Sequence, residues 1–323
     1  MKAPRFWWRE TSLRSALLTP AAFLYGAIAE RRNVLPPEYI SPLPVICVGN
    51  VTVGGSGKTP TVLAVVKRLK EMNHRPHVLS RGFGGALRGP VKVDPARHAA
   101  SDVGDEALLL ACATATWIGA DRVASARAAE LENATVLVMD DGFQNPALGK
   151  SLSLLTFDGL RGIGNGRVLP AGPLRENFDR ALARAHGAVI VGDDLTGIGR
   201  RLADRVPILH ADLVAESQTL PPRLFGFCGI GNPEKFRRTL TTVETHLAGF
   251  ESFGDHHVFN AHELRSLSEK AHSLDAVLAT TEKDAARLGR ALPTNAIVIR
   301  VALRWRDRHA LDALLLQAGL FHG

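Results

Sequence analysis

Residues 49–60 read GNVTVGGSGKTP, a glycine-dense loop that follows the apolar run Pro44-Val45-Ile46-Cys47-Val48 and opens an apolar-periodic stretch at Thr59. Strand, glycine loop and helix in that order make a phosphate cradle. Consecutive backbone N–H groups converge on phosphate oxygens only where the chain curls tightly, a freedom that glycine supplies. The helix that follows turns its positive N-terminus toward the same anion. The strict pattern G-x-x-x-x-G-K-[ST] is missed at its first position, where Thr52 replaces glycine. The residues assigned to nucleotide phosphates are Thr52, Val53, Gly54, Gly55, Ser56, Gly57, Lys58 and Thr59. Lys58 would reach the β- and γ-phosphates, and the Thr59 hydroxyl would ligate magnesium. Pro60 suits the first turn of a helix, where its missing N–H costs little.

The next landmark is ATVLVMDDGFQN, residues 134–145, an apolar strand that delivers Asp140 and Asp141 at its C-terminal end. Ligands of doubly wound sheets sit at that edge, so either carboxylate is a candidate to hold the metal directly or through water. Strand-like and helical patterns alternate elsewhere, which predicts parallel strands with crossover helices on both faces. The expected strands are Val45–Val48, His77–Ser80, Val136–Met139, Ser153–Phe157 and Ala188–Val191. The expected helices are Thr59–Glu71, Asp105–Trp117 and Arg122–Leu131. Residues 195–222 look irregular, and a second series then begins with Leu224–Cys228, Pro233–Leu240, Ala261–His272, Ala276–Ala279, Ala296–Val301 and Asp307–Ala318. This pattern predicts a phosphate-loop domain over 36–214 and a smaller α/β domain over 215–323.

A chain of 323 residues is long enough for one large or two ordinary domains. The net charge of +7, from 39 basic and 32 acidic residues, points to anionic partners. Few aromatics interleave with the basic residues after position 35, so a stacking platform for nucleic acid is not expected. Cys47, Cys112 and Cys228 lie in apolar runs without C-x-x-C spacing, which favours core packing and a reducing compartment over a disulfide framework or zinc site.

Residues 1–35 carry a mostly apolar run from Ala16 to Ala29 that Pro20 interrupts. The run is shorter than the roughly 20 residues a membrane span needs. A signal peptide, with Ala27-Ile28-Ala29 imitating a cleavage site, is opposed by the long aromatic leading region. An interfacial helix fits better. Leu13, Leu17, Leu24 and Ile28 share a face flanked by Arg5, Arg9, Arg14, Arg31 and Arg32, with Trp7, Trp8 and Tyr25 suited to the lipid–water boundary. A helix packed on the main domain is the bland alternative.

VICVGNVTVGGSGKTP, LSRGFGG, VGDEALLL, MDDGFQN, LPAGPLRE, FCGIGNPEKF, FGDHHVF and TTEKDAARL occur in an order that closely resembles the tetraacyldisaccharide 4′-kinase family. The resemblance covers nearly the whole chain and includes the Thr52 variant of the loop. It implies ATP and Mg2+, with tetraacyldisaccharide 1-phosphate, a lipid A precursor, as acceptor at the cytoplasmic face of the bacterial inner membrane. That acceptor is embedded in an anionic surface, and no obligate protein partner is implied. The resemblance also implies that Asp105 accepts the proton of the sugar hydroxyl, paired with His256. It makes Arg81, Glu106, Gln144, Arg175 and Glu176 candidate substrate contacts; Arg175 is equally suited to an ATP phosphate, and Asp105-Glu106 by itself reads as a helix start. Phe83 stands where the family usually has tyrosine, Asn145 where histidine is frequent, and Ala107 where proline is frequent. His256, His257 and His262 do not match a zinc signature. Glu282-Lys283-Asp284 reads as a helix start or as part of the site. The alternative function is a phosphate-loop switch that hydrolyses nucleotide to engage a protein partner.

Overall fold

The computed structural model describes residues 4–321. Thirteen strands run in chain order as β1 (Val45–Gly49), β2 (Pro76–Ser80), β3 (Val91–Lys92), β4 (Thr116–Ile118), β5 (Val136–Asp140), β6 (Leu152–Asp158), β7 (Gly187–Val191), β8 (Ile208–Ala215), β9 (Arg223–Cys228), β10 (His246–Ser252), β11 (Val277–Thr281), β12 (Ile297–Ile299) and β13 (Val301–Trp305). The helices are α1 (Leu13–Leu17), α2 (Thr19–Asn33), α3 (Lys58–Glu71), α4 (Ala100–Val103), α5 (Asp105–Ala113), α6 (Arg122–Leu131), α7 (Phe178–Leu182), α8 (Ile198–Leu202), α9 (Pro233–Thr242), α10 (Ala261–Ser273), α11 (Glu282–Leu288) and α12 (Arg308–Gln317). They build a nine-stranded sheet in the order β13-β8-β7-β6-β1-β5-β2-β4-β3 and a four-stranded sheet in the order β10-β9-β11-β12.

In the large sheet only the edge strands β3 and β13 pair antiparallel. Its central strands are buried throughout because both faces are covered. Val45 and Cys47 point into one core with Leu137, Phe157 and Ala126 of α6. Ile46 and Val48 point into the other, where α3 lays down Val62, Val65, Val66 and Leu69 at helical spacing. β5 and β6 flank β1 on opposite sides, so the strand order reverses around the glycine loop and opens a crevice there.

Five sequence expectations are corrected. The helix expected over 105–117 stops at Ala113, because Thr114 is extended and its hydroxyl donates to Pro76 O at 2.6 Å. Thr116, Trp117 and Ile118, good strand formers, then pair with β2. The irregular stretch 195–222 contains α8 and β8, and β10 also went unread. The strand expected over Ala296–Val301 breaks at Arg300 into β12 of the small sheet and β13 of the large one. The unit expected over 215–323 is therefore narrower. β13 pairs with β8, and α12 buries Leu311, Leu314 and Leu315 in the core of the large sheet. Cys112 is exposed, unlike Cys47 and Cys228.

The amino-terminal segment packs on the domain through small residues and leaves large apolar ones exposed. Ser15, Ala22 and Gly26 are its buried residues in α1 and α2, small enough to let the helices lie close to the domain. The Ser15 hydroxyl donates to Ala171 O at 2.7 Å, and Trp7 Nε1 donates to Pro170 O at 3.1 Å. Trp7 is thus inside the fold and not at a lipid boundary. Leu13, Leu17, Phe23, Leu24 and Ile28 face outward, between 62 % and 80 % exposed. Among the described residues no helix is long and apolar enough to cross a membrane.

Candidate active site

The glycine loop is pinned by the LPAGPLRE segment. Val53 N donates to Pro173 O at 2.8 Å, and Arg175 N donates to Val51 O at 2.7 Å. From below, Ser56 Oγ and Thr156 Oγ1 lie 2.9 Å apart, and Thr156 donates to Gly49 O. Asn50 donates to Thr52 O at 2.7 Å and accepts from Lys58 Nζ at 3.3 Å. Val53, Gly54 and Gly55 remain exposed as an open cradle. Gly57 holds a left-handed φ of 87° as the N-cap of α3. Hydrogen bonds within the fold thus fix both ends of the loop.

Asp140 ends β5 at 2 % exposure. Its Oδ2 accepts from Ser80 at 3.3 Å, while Oδ1 has no partner among the described residues. Burial, then the negative charges of Glu106 and Asp141, push its carboxyl up to about 7. An orphaned buried carboxylate oxygen is a place that a hard cation fills. With the buried Thr59 hydroxyl, the donor set is oxygen only, which fits magnesium. Asp141 differs. Burial would raise its pKa, but Lys58 at 3.7 Å and the Arg175 guanidinium, bonded to both oxygens at 3.0 and 3.1 Å, outweigh it and hold the carboxyl low.

Asp105 is the first residue of α5, at 5 % exposure. Its Oδ1 accepts from Glu106 N at 2.9 Å. Its Oδ2 lies 3.4 Å from His256 Nδ1 and accepts from Arg287 Nη2 at 2.5 Å. Burial opposes ionisation, but the His256 hydrogen bond and Arg287 overcome it and keep the carboxyl well below the usual range. Conversely, the hydrogen bond to Asp105 raises the pKa of His256. His256 sits at φ 57°, with its N–H on Gly229 O at 3.1 Å. Phe83 packs its ring 5.7 Å from the imidazole. Of the other two histidines weighed for a metal, His257 pairs with Glu263 at 3.0 Å and His262 is exposed.

These groups lie within electrostatic reach of one another. Asp140 feels the charge of Lys58 on one side and of Glu106 and Lys283 on the other, and Lys283 feels both Asp105 and Asp140. The candidate substrate contacts divide. Arg81 is exposed and has no ion-pair partner among the described residues. Glu106 is half-buried against Lys283. Glu176 is 1 % exposed, with its oxygens taken by Asn33, Gln144 and Arg184, so it buttresses the site from within instead of meeting substrate. Gln144 links Glu176 to Asn50 O and Arg175. Sequence reasoning missed Arg287 and Lys235, the latter 3.4 Å from the buried Asp158 at the end of β6. The D-x-x-R spacing within TTEKDAARL was the available signal for Arg287.

Comparison with known proteins agrees with this geometry. Residues 14–319 match the family described as Tetraacyldisaccharide-1-P 4'-kinase, LpxK. The chain is 47 % identical to the tetraacyldisaccharide 4'-kinase of Rhodospirillum centenum, over 98 % of this chain and 96 % of that one. It is 45 % identical to that of Bradyrhizobium diazoefficiens, with the same coverage. The crystal structure of LpxK from Aquifex aeolicus in complex with ATP superposes with a TM-score of 0.75 at 26 % identity, covering 95 % of this chain and 99 % of that chain. The order of motifs, the fold and the full-length identity point one way: the chain belongs to the tetraacyldisaccharide 4'-kinase family.

Proposed function

We propose that this chain transfers the γ-phosphoryl group of ATP to the 4′-hydroxyl of tetraacyldisaccharide 1-phosphate, with Asp105 as proton acceptor. The observation that carries the reading is electrostatic: Lys58 of the phosphate loop and Lys283, which also acts on Asp105, both act on the buried Asp140 carboxylate. Backbone amides of residues 53–59 and Lys58 grip the triphosphate. Thr59 and Asp140 would hold magnesium, with Asp141 beside them, and the ion when bound neutralises phosphate charge. The sugar oxygen attacks the γ-phosphorus, the bond to the β-bridging oxygen breaks, and the hydroxyl proton passes to an Asp105 oxygen. A carboxylate of low pKa is a weak base, which suits a loose transition state in which the proton leaves late.

The acceptor is lipid-anchored, and the exposed row Leu13, Leu17, Phe23, Leu24 and Ile28 beside Arg14, Arg31 and Arg32 supports docking on an anionic membrane surface. The cytoplasmic face is where ATP is found. Incubation with labelled ATP, magnesium and the tetraacylated disaccharide 1-phosphate in micelles should move label into the lipid. Hydrolysis without labelled lipid would refute the reading and favour a nucleotide switch.

A further inference from the structure

The arginine of TTEKDAARL bonds one member of the proton-accepting pair and the backbone around the other. Arg287 lies on α11 of the small unit, with its side chain 12 % exposed. Its Nη2 donates to Asp105 Oδ2 at 2.5 Å, across the boundary between the units. Its Nη1 donates to Asp284 Oδ1 at 2.8 Å, to Gly229 O at 3.2 Å and to His257 O at 3.3 Å. Gly229 O also accepts the His256 N–H, and Gly229 N donates to both Asp284 oxygens at 3.1 Å. The guanidinium therefore fixes the backbone on either side of His256 while it holds the carboxylate that His256 faces.

We infer that Arg287 is a positioning residue for phosphoryl transfer: it orients the Asp105 carboxylate and anchors the His256 loop, so that the pair assembles only when α11 is seated against α5. The planar fork suits this role, since one face of a single guanidinium reaches Asp105 and the other reaches two carbonyls and a carboxylate. Around Asp105 the small unit presents His256, Lys283 and Arg287, with Asp255 and Asp284 behind them, and α5 itself adds Glu106. Arg287 is one of three cations in this group, yet among the described residues it alone bonds to Asp105, to His257 O and to the carbonyl that accepts the His256 N–H.

The inference rests on Asp105 as the proton acceptor, and the test separates the two. Arg287→Met, Arg287→Lys, Arg287→Met with Asp284→Asn, and Asp105→Asn are compared by lipid phosphorylation, ATP affinity and thermal unfolding. Arg287→Met is expected to lower kcat by about 10²-fold, as misplacement of a reacting group does. ATP affinity should stay within about twofold, because the phosphate loop takes no contact from Arg287. Loss of an adjacent cation should also move the acid limb of kcat/KM to higher pH, by about 1–3 units. Arg287→Lys keeps the charge and should recover part of the rate. The double variant removes the uncompensated Asp284 charge, so slow turnover in a normally stable protein would again support positioning. Near-normal turnover and an unmoved acid limb in Arg287→Met, with Asp105→Asn inactive, would overturn the inference and leave the proton acceptor standing. Recovery of full rate in the double variant would likewise overturn it, since the defect would then be one of stability. An active Asp105→Asn would overturn the underlying reading itself.

Discussion

Gly55→Ala separates the ligand's demands on the phosphate loop from those of the fold. Gly55 lies outside the left-handed region, and a Cβ built on it meets nothing within 4 Å. The fold therefore has no use for glycine there. Alanine at a compatible position is neutral or gains about 0.4–1 kcal/mol by restricting the unfolded chain, so thermal unfolding should be unchanged or slightly raised. A bound phosphate approaches the backbone closely, and the methyl would hold it off. Loss of one hydrogen bond to a charged group costs about 1.5–3 kcal/mol, which at about 1.4 kcal/mol per decade means roughly 10–150-fold in Kd. Gly54→Ala serves as the contrast, because φ 111° is strained for alanine whatever the space around it. That variant should lose about 1–2 kcal/mol of stability as well as affinity. Calorimetric titration with ATP and thermal unfolding measure both quantities. An ATP affinity within twofold of wild type for Gly55→Ala would show that phosphates do not rest on this loop.

Three further outcomes are expected. Lys58→Ala should reduce kcat by about 10²–10³-fold in the lipid phosphorylation assay, since it removes a preorganised charge from the transferring group; retained turnover would reassign the role. Replacing Leu17, Phe23 and Ile28 by serine should abolish flotation with anionic vesicles while ATP affinity and unfolding stay unchanged, because these side chains are exposed; undiminished flotation would remove the docking face. The His256–Asp105 contact should make stability pH-dependent. His256 is raised by its bond to Asp105, so its contribution is full below about pH 6.5 and fades as pH climbs through the raised value. Asp105 is held low against burial by His256 and Arg287, so its share is full above about pH 3.9 and fades as pH falls further. The gap in urea midpoint between wild type and His256→Ala should therefore be widest between these limits and shrink in alkali; a constant gap would contradict the pairing.

The phosphate loop was legible because its residues are contiguous. Strand, glycines, Lys58 and helix interact within a dozen positions, so local backbone geometry and the apolar pattern suffice to place them. Asp140 was legible for the same reason, as the end of a strand buried on both faces. Pairing across the two sheets was not. The Asp105–Arg287 contact joins residues 182 apart, and neither helix announces its partner. The resemblance named Asp105 and His256, but the residue that orders them came only from the packing of α11 on α5. Glu176 shows the converse, because a carboxylate in a recognised motif looks available until its burial is known.

The same division holds at the chain's ends. Alternating apolar patterns fixed the class of fold, since a strand or helix must bury its apolar face to offset the entropy of ordering. They did not say which sheet a short strand joins, and the three residues of β12 and five of β13 pair with different sheets on either side of Arg300. Hydropathy marked residues 13–28 as amphipathic, yet only the small side chains Ser15, Ala22 and Gly26, pressed against the domain, turn the leucines outward. Sequence alone determined the strand, glycine loop and helix, because neighbours along the chain create them. Tertiary structure decided which distant charges meet in the cleft, because burial and partners are properties of the packed molecule.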